Sequence, residues 1–172
     1  EMSSIIEGSN AQFIIKIDTP ADEDITVTFT IGGDVDSLDY TEPTTYTVVI
    51  PAGETEVPLN ITTLVDNVYE GSEDLKIDLV GTSGSNSIIN PLEDNAKVEV
   101  LDSKDAPKVS IVTDQSKIPE GTTAEFVIKI DTPADEDITV TFTIDGDVNS
   151  SDYTAPVVST VVIPAGATEV PL

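Results

Sequence analysis

The sequence predicts an all-β protein built as a tandem of Greek-key β-sandwiches. Three observations lead there. The chain repeats itself: residues 7–59 return as residues 120–172 at an offset of 113, with 41 identities in 53 aligned positions. That period is too long for a solenoid and matches one whole sandwich domain. Hydrophobicity alternates with period two through most of the chain, with β-branched residues enriched. Turn residues bound each alternating stretch, and no segment reads convincingly as a helix.

The elements follow in order. Phe13, Ile15 and Ile17 share one face of a first strand, with Gln12, Ile14 and Lys16 on the other. Ile25, Val27, Phe29 and Ile31 alternate with Thr26, Thr28 and Thr30, the pattern of a half-buried antiparallel strand with its threonines to solvent. Further strands are expected at 46–50, 57–63, 74–80 and 96–101. The second copy adds 108–113, 124–130, 138–144 and 157–163. Turn signals stand at Thr19-Pro20-Ala21-Asp22, Pro51-Ala52-Gly53 and Gly81-Thr82-Ser83-Gly84. About seven short strands per repeat are what a Greek-key sandwich requires.

The joint between repeats is expected at Asp102-Ser103-Lys104-Asp105-Ala106-Pro107, where Pro107 suits a linker before a first strand. The first domain is then residues 1–105 and the second 106–172. Lys108–Thr113 becomes the first strand of the second domain, and its counterpart in the first would lie upstream of Glu1. The second copy stops at Leu172, the equivalent of Leu59. A half-sandwich leaves strand edges and apolar faces open. The expectation is a window cut from a longer protein, or a half completed by another chain.

Composition narrows the function. There are 33 acidic residues against 7 basic ones, a formal charge of -26, so nucleic acid and anionic membrane surfaces would be repelled. Such a surface attracts cations instead, above all Ca²⁺, which prefers carboxylate oxygen. Solubility of a crowded fibre is an equally good reason for the total charge. No cysteine is present, which removes disulfides, cysteine-based zinc sites and thiol catalysis. No histidine is present, which removes the commonest general base and the Ser-His-Asp triad. Paired carboxylates could hydrolyse glycosides, but aromatic content is 5% with no Trp, so no sugar-stacking platform is evident. No enzymatic activity is expected. No segment is long and apolar enough to span a membrane, and the composition fits a secreted bacterial surface protein.

Acidic residues recur at strand ends and in loops: Glu7 before Gly8, Asp39 in Asp-Tyr-Thr, Asp66, Glu70 and Glu73 in one loop, and Asp102 with Asp105 at the joint. Alternate loops of a sandwich meet at one end, so these carboxylates can converge. Converging carboxylates repel unless neutralised, and Ca²⁺ takes six to eight oxygens at about 2.3–2.6 Å. Solvated loop carboxylates fit the same spacing.

The order Glu-Gly, strand, Asp-Tyr-Thr, Ile-Pro-Ala-Gly-Glu-Thr, Asp-Asn-x-x-Glu-x-x-Glu-Asp-Leu and Val-x-Val-Leu-Asp resembles the Calx-β domain. The resemblance covers residues 5–105 and again 108–172. It implies an immunoglobulin-like, seven-stranded sandwich that binds calcium at one end, as in sodium–calcium exchangers, integrin β4 and large bacterial adhesins. It carries the ligand positions over to Glu7, Asp39, Asp66, Glu70 and Asp102, with the backbone carbonyl of Val68 and, from the linker, Asp105. In the second copy only Glu120 and Asp152 have counterparts, so no complete second site is expected. Exchanger members carry runs of aspartates where this chain has Asp66-Asn67 and Asp102-Ser103-Lys104. Fewer carboxylates suit a structural site in millimolar extracellular calcium better than a cytosolic sensor.

Other patterns fail. Asp145-Gly146-Asp147-Val148-Asn149 has the first spacing of an EF-hand loop, but Ser150 stands at position 6 and Pro156 at position 12. Tyr40, Tyr46, Tyr69 and Tyr153 read as core-edge residues. The expected function is a calcium-stiffened spacer of a large surface-anchored adhesin, partnered by neighbouring repeats and, through the incomplete second domain, by self-association. A regulatory calcium sensor on a transporter, a ligand-binding adhesin tip and a fibre subunit completed by a neighbouring chain are the alternatives. The invariant Asp-Thr-Pro-Ala-Asp-Glu-Asp turn (18–24 and 131–137) argues against a recognition loop.

Overall fold

A computed structural model of the protein describes residues 4–148 and 151–172, and among these there is no helix. The chain divides into two compact units, residues up to 66 with 71–103, and 67–70 with 104–172.

The first unit has seven strands: β1 (Ser4–Ile6), β2 (Asn10–Lys16), β3 (Ile25–Gly33), β4 (Thr47–Ile50), β5 (Glu56–Thr62), β6 (Ser72–Ser83) and β7 (Asn95–Leu101). They form a five-stranded sheet in the order β1-β7-β6-β3-β4 and a two-stranded sheet of β2 and β5. The fold is an immunoglobulin-like Greek-key β-sandwich, as the alternation requires. Phe13 and Ile15 from β2 and Leu59 and Ile61 from β5 bury against Ile25, Val27 and Phe29 of β3, Leu75 and Ile77 of β6, and Val98 and Val100 of β7. Every second residue of β2 is buried, which fixes its pairing with β5 from Asn10↔Thr62 to Lys16↔Glu56. A one-residue slip would turn Phe13 and Ile15 to water. Thr26 and Thr28 are half-buried and Thr30 is exposed, on the outer face of β3.

Two features depart from the sequence reading. β1 was not expected; it pairs parallel to β7, with Ser4↔Glu99 and Ile6↔Leu101, and Ile5 packs against the core. Three residues are too few to show a period. The turn expected at 81–84 also moves, because β6 runs on to Ser83 through a bulge. Thr28 pairs with Gly81 and Phe29 with Leu79, so Val80 is the extra residue and stands 55% exposed. The chain reverses after that, at Gly84, where φ is +102° and a Cβ would lie 2.4 Å from the Asp24 carbonyl oxygen.

The second unit contains β8 (Val109–Val112), β9 (Val127–Ile130), β10 (Ile138–Thr141), β11 (Thr160–Ile163) and β12 (Glu169–Pro171). They form a three-stranded sheet, β12-β9-β8, and a pair, β10-β11. Ile128, Ile130 and Ile163 make its core. These strands are shorter than the expected 124–130, 138–144 and 157–163. The second unit repeats the first in detail. Ala52 N–H donates to Asp24 at 2.9 Å and Ala165 N–H to Asp137 at 2.9 Å. Gly53 N–H donates to the Ala21 carbonyl at 2.8 Å and Gly166 N–H to that of Ala134 at 2.7 Å.

Leu75→Ala should lower stability by about 2–5 kcal/mol, the usual cost of emptying a fully packed site, because Leu75 is 0% exposed. Leu92→Ala, at a position 90% exposed, should stay within about 0.5 kcal/mol. Urea unfolding of both variants checks the contrast.

Candidate metal centre

Loops at one end of the first unit carry Glu7, Asp39, Asp66, Glu73 and Asp102. The backbone does the positioning. At one corner, Tyr40 makes an isolated antiparallel bridge with Thr63, just past the end of β5. Thr41 N–H donates to the Thr62 carbonyl at 2.8 Å and Leu64 N–H to the Asp39 carbonyl at 2.7 Å. Asp39 is thereby zipped alongside the β5–β6 connection. Thr63, only 2% exposed, ties that connection to the turn after β1: its N–H and its hydroxyl both donate to the Ser9 carbonyl at 2.9 Å. Gly8 makes this approach possible. Its φ is +77°, and a Cβ there would stand 2.6 Å from Val65 Cγ2.

At the neighbouring corner, Glu7 and Asp102 are fixed by backbone donors. Glu7 N–H donates to the Leu101 carbonyl at 3.0 Å, and Ser103 N–H donates to the Glu7 carboxylate at 3.2 Å. Asp102 N–H donates to the Gly71 carbonyl at 3.1 Å, and Gly71 N–H returns to the Asp102 carboxylate at 3.2 Å. Because Ile6, Leu101 and Ser72 are register partners across β1, β7 and β6, Glu7, Asp102 and the entry to β6 share one end of the sheet.

Among the described residues, Asp39, Glu70 and Glu73, each half-buried, form one close acidic group. One carboxylate oxygen from each lies within 4.8 Å of the others. Asp39 is perturbed by its own burial and by neighbouring aspartates. Partial burial pushes its carboxyl above the ordinary 3.8, the Asp36 backbone N–H hydrogen-bonded to it pulls down, and the charges of Asp36 and Asp66 push up again. Asp36 also accepts from Leu38 N–H at 2.6 Å, so the 36–39 turn is held from both sides. Three oxygen donors this close, in a segment already short of cations, suit a hard divalent ion. Carboxylates alone do not suit a soft metal.

The sequence-expected ligands are thus placed as follows. Asp39 and Glu70 fall in the tight group, and exposed Asp66 lies near enough to act on Asp39 electrostatically. Glu7 and Asp102 sit on the adjoining corner, each engaged by a backbone donor. Val68 is half-buried on the same connection as Glu70. Asp105 belongs to the second unit, is exposed, and pairs with Lys108 at 3.6 Å. Glu120 and Asp152 are exposed residues of the second unit. Asn149 and Ser150, of the failed EF-hand spacing, lie outside the described residues. Glu73 was legible only as one more acidic residue of its loop. It heads β6, where register turns it toward Glu70. Tyr40 packs against the core as a core-edge residue, and Tyr46 tilts against Phe29 with ring centroids 5.7 Å apart.

Known structures share this architecture. The chain superposes on the crystal structure of CBD12 from CALX1.2 with a TM-score of 0.52 at 17% identity, covering 99% of this chain and 72% of that one. It superposes on the calcium binding domain CBD12 of CALX1.1 with a TM-score of 0.52 at 18% identity, covering 99% and 71%. Likeness at that identity shows the fold alone. No protein-family model matches the chain, and no curated protein matches it.

A carboxyl whose value is raised on folding adds stability below its ordinary value and loses that contribution as pH climbs through the raised one. Asp39 should therefore make the cation-free protein less stable as pH rises from 3.8 towards neutrality. Asp39→Asn in EDTA should raise the melting temperature at pH 7 by a few degrees and flatten its pH dependence; thermal melts across pH 4–7 decide it. A lower melting temperature at pH 7 would show that the charge is already compensated.

Proposed function

We propose that the chain is a calcium-binding structural spacer, a piece of a repeated extracellular rod such as a large bacterial surface adhesin. The convergence of Asp39, Glu70 and Glu73 carries the calcium reading. Three carboxylates with oxygens inside 4.8 Å of one another, one of them shifted upward by burial, offer a hard cation three oxygen donors at once. These three would hold the ion, and Asp66, Glu7, Asp102 and the Val68 carbonyl are the further oxygens of the same end. The ion supplies charge neutralisation and a cross-link between the Asp39 turn and the β5–β6 connection. The likeness to a domain named for calcium binding supports the same reading.

The repeat supports the spacer. The 41 identities in 53 positions extend to the shared turns, whose hydrogen bonds recur within 0.1 Å. Binding modules vary their loops, whereas spacers copy them. Partners are then neighbouring repeats of the same sequence, with self-association through the open edge of the β10–β11 pair. A charge of -26 keeps such a rod soluble and away from nucleic acid. A second reading, a regulatory calcium sensor of a membrane transporter, fits the likeness to a domain named for calcium binding equally well. A site that binds only at millimolar calcium supports the spacer, and one that saturates near micromolar supports the sensor.

Millimolar Ca²⁺ should raise the melting temperature of the chain. At a hundredfold excess over Kd the gain is about 2.7 kcal/mol. Glu70→Gln with Glu73→Gln should abolish the calcium response. A melt indifferent to Ca²⁺ contradicts the reading.

A further inference from the structure

The sheet of β2 and β5 turns to solvent an outer face unlike the other faces of the first unit. Its residues stand in register as Asn10↔Thr62, Gln12↔Asn60, Ile14↔Pro58 and Lys16↔Glu56, and all of them are exposed. Only the last pair is charged, and its two charges meet each other at 3.4 Å. In a chain with 33 acidic residues, the rest is a neutral field of amides, a hydroxyl and two apolar side chains. The outer face of the larger sheet, by contrast, carries Asp74, Lys76 and Asp78 from β6 and Lys97 and Glu99 from β7. The second copy has Glu125 where the first has Gln12, so the repeat as such does not require neutrality.

Three consecutive residues of β5, Asn60-Ile61-Thr62, have the form Asn-x-Ser/Thr, with x other than proline, of an N-glycosylation acceptor. Period-two geometry sets Asn60 and Thr62 side by side on the neutral face and sends Ile61, 2% exposed, into the core. The amide of Asn60 is held at one end only. Gln12 Nε2 donates to its Oδ1 at 3.1 Å, and among the described residues its Nδ2 donates to no group. Thr62 Oγ1 donates to Asn10 Oδ1 at 2.7 Å. A substituent on Nδ2 therefore leaves both of these bonds in place, because Oδ1 is the atom that Gln12 uses. A sugar lying here would meet amides and a hydroxyl that can bond its own hydroxyls. Ile14, 44% exposed, and Pro58 would meet its C–H faces. No carboxylate between Asn10 and Ile14 or between Pro58 and Thr62 would be desolvated beneath it.

We propose that Asn60 is an acceptor site for an N-linked glycan, transferred from a sugar carried on a lipid diphosphate. Nδ2 attacks the anomeric carbon of that donor. The C1–Nδ2 bond forms, the C1–O bond to the diphosphate breaks, the lipid diphosphate leaves with the electron pair, and Nδ2 gives up one proton. The folded sandwich accommodates the product because the whole face is exposed. A glycan there is bulky and solubilising and covers one face of the β2–β5 sheet. The proposal rests on the extracellular part of the proposed function and is independent of calcium.

The test secretes the full chain, behind an added signal sequence, from cultured eukaryotic cells that N-glycosylate a co-expressed reporter. A peptide N-glycanase in heavy-oxygen water then leaves a labelled aspartate wherever a glycan was. Asn149-Ser150-Ser151 has the same sequence form, so the label is mapped to its peptide by mass spectrometry. The expected result is label at Asn60 in the folded, secreted chain, lost with Thr62→Val and kept with Thr62→Ser, which preserves the hydroxyl. Asn60→Gln should lower the intact mass by one glycan, and that arm stands even if Thr62→Val fails to fold. Because the signal sequence supplies secretion, a negative answer concerns the site and not where the chain resides. A bare Asn60 beside a glycosylated reporter overturns the proposal. So does label at Asn60 that survives Thr62→Val, or label confined to chains that do not fold.

Discussion

Packing of the β2–β5 pair onto the five-stranded sheet is the constraint from which the rest of the first unit follows. Phe13, Ile15, Leu59 and Ile61 must face Val27, Phe29, Leu75 and Val98, and period-two geometry leaves one register that allows it. Once that register is set, the ends of the strands are set, and so are the loops. The turn at Glu7, the Asp39 turn and the β5–β6 connection are brought to one end by apolar burial, whatever their charges. Hydrophobic free energy therefore concentrates carboxylates that would separate if left to themselves.

The response of the fold to that crowding is uneven. Glu7 and Asp102 each meet a backbone N–H, so their charge is stabilised by the peptide chain at the sheet end. Asp39 has one such bond, from Asp36, yet burial and two neighbouring aspartates outweigh it. Asp39, Glu70 and Glu73 bring three carboxylate oxygens close enough to hold a metal ion between them. The same end is acidic enough that monovalent counterions alone would screen it poorly inside a few ångströms.

Much of this was legible in the sequence, and the rest failed for physical reasons. The long alternating strands β2, β3 and β5 declare themselves because each residue faces either core or water. β1 does not, since its three residues take their place from a parallel pairing with β7, a contact about 95 residues away in the chain. The bulge at Val80 hid in a run of apolar residues, and Gly81 looked like a turn although the strand passes through it. Among the acids, Asp39 and Glu70 were picked out by their motif. Glu73 had no motif beyond its loop, and Asp36 matters through the backbone N–H it gives Asp39 and the charge it sets beside it. Such roles depend on which oxygen faces which, and spacing cannot report that.

The most direct measurement is the titration of the Asp39 carboxyl by carbon-detected NMR, first in EDTA and then with excess Ca²⁺. The account predicts a carboxyl that titrates above the ordinary 3.8 without calcium and well below it when calcium is bound, since the ion favours the charged form. A titration midpoint that calcium leaves unmoved would contradict it, and would make this end of the sandwich a solvated acidic surface.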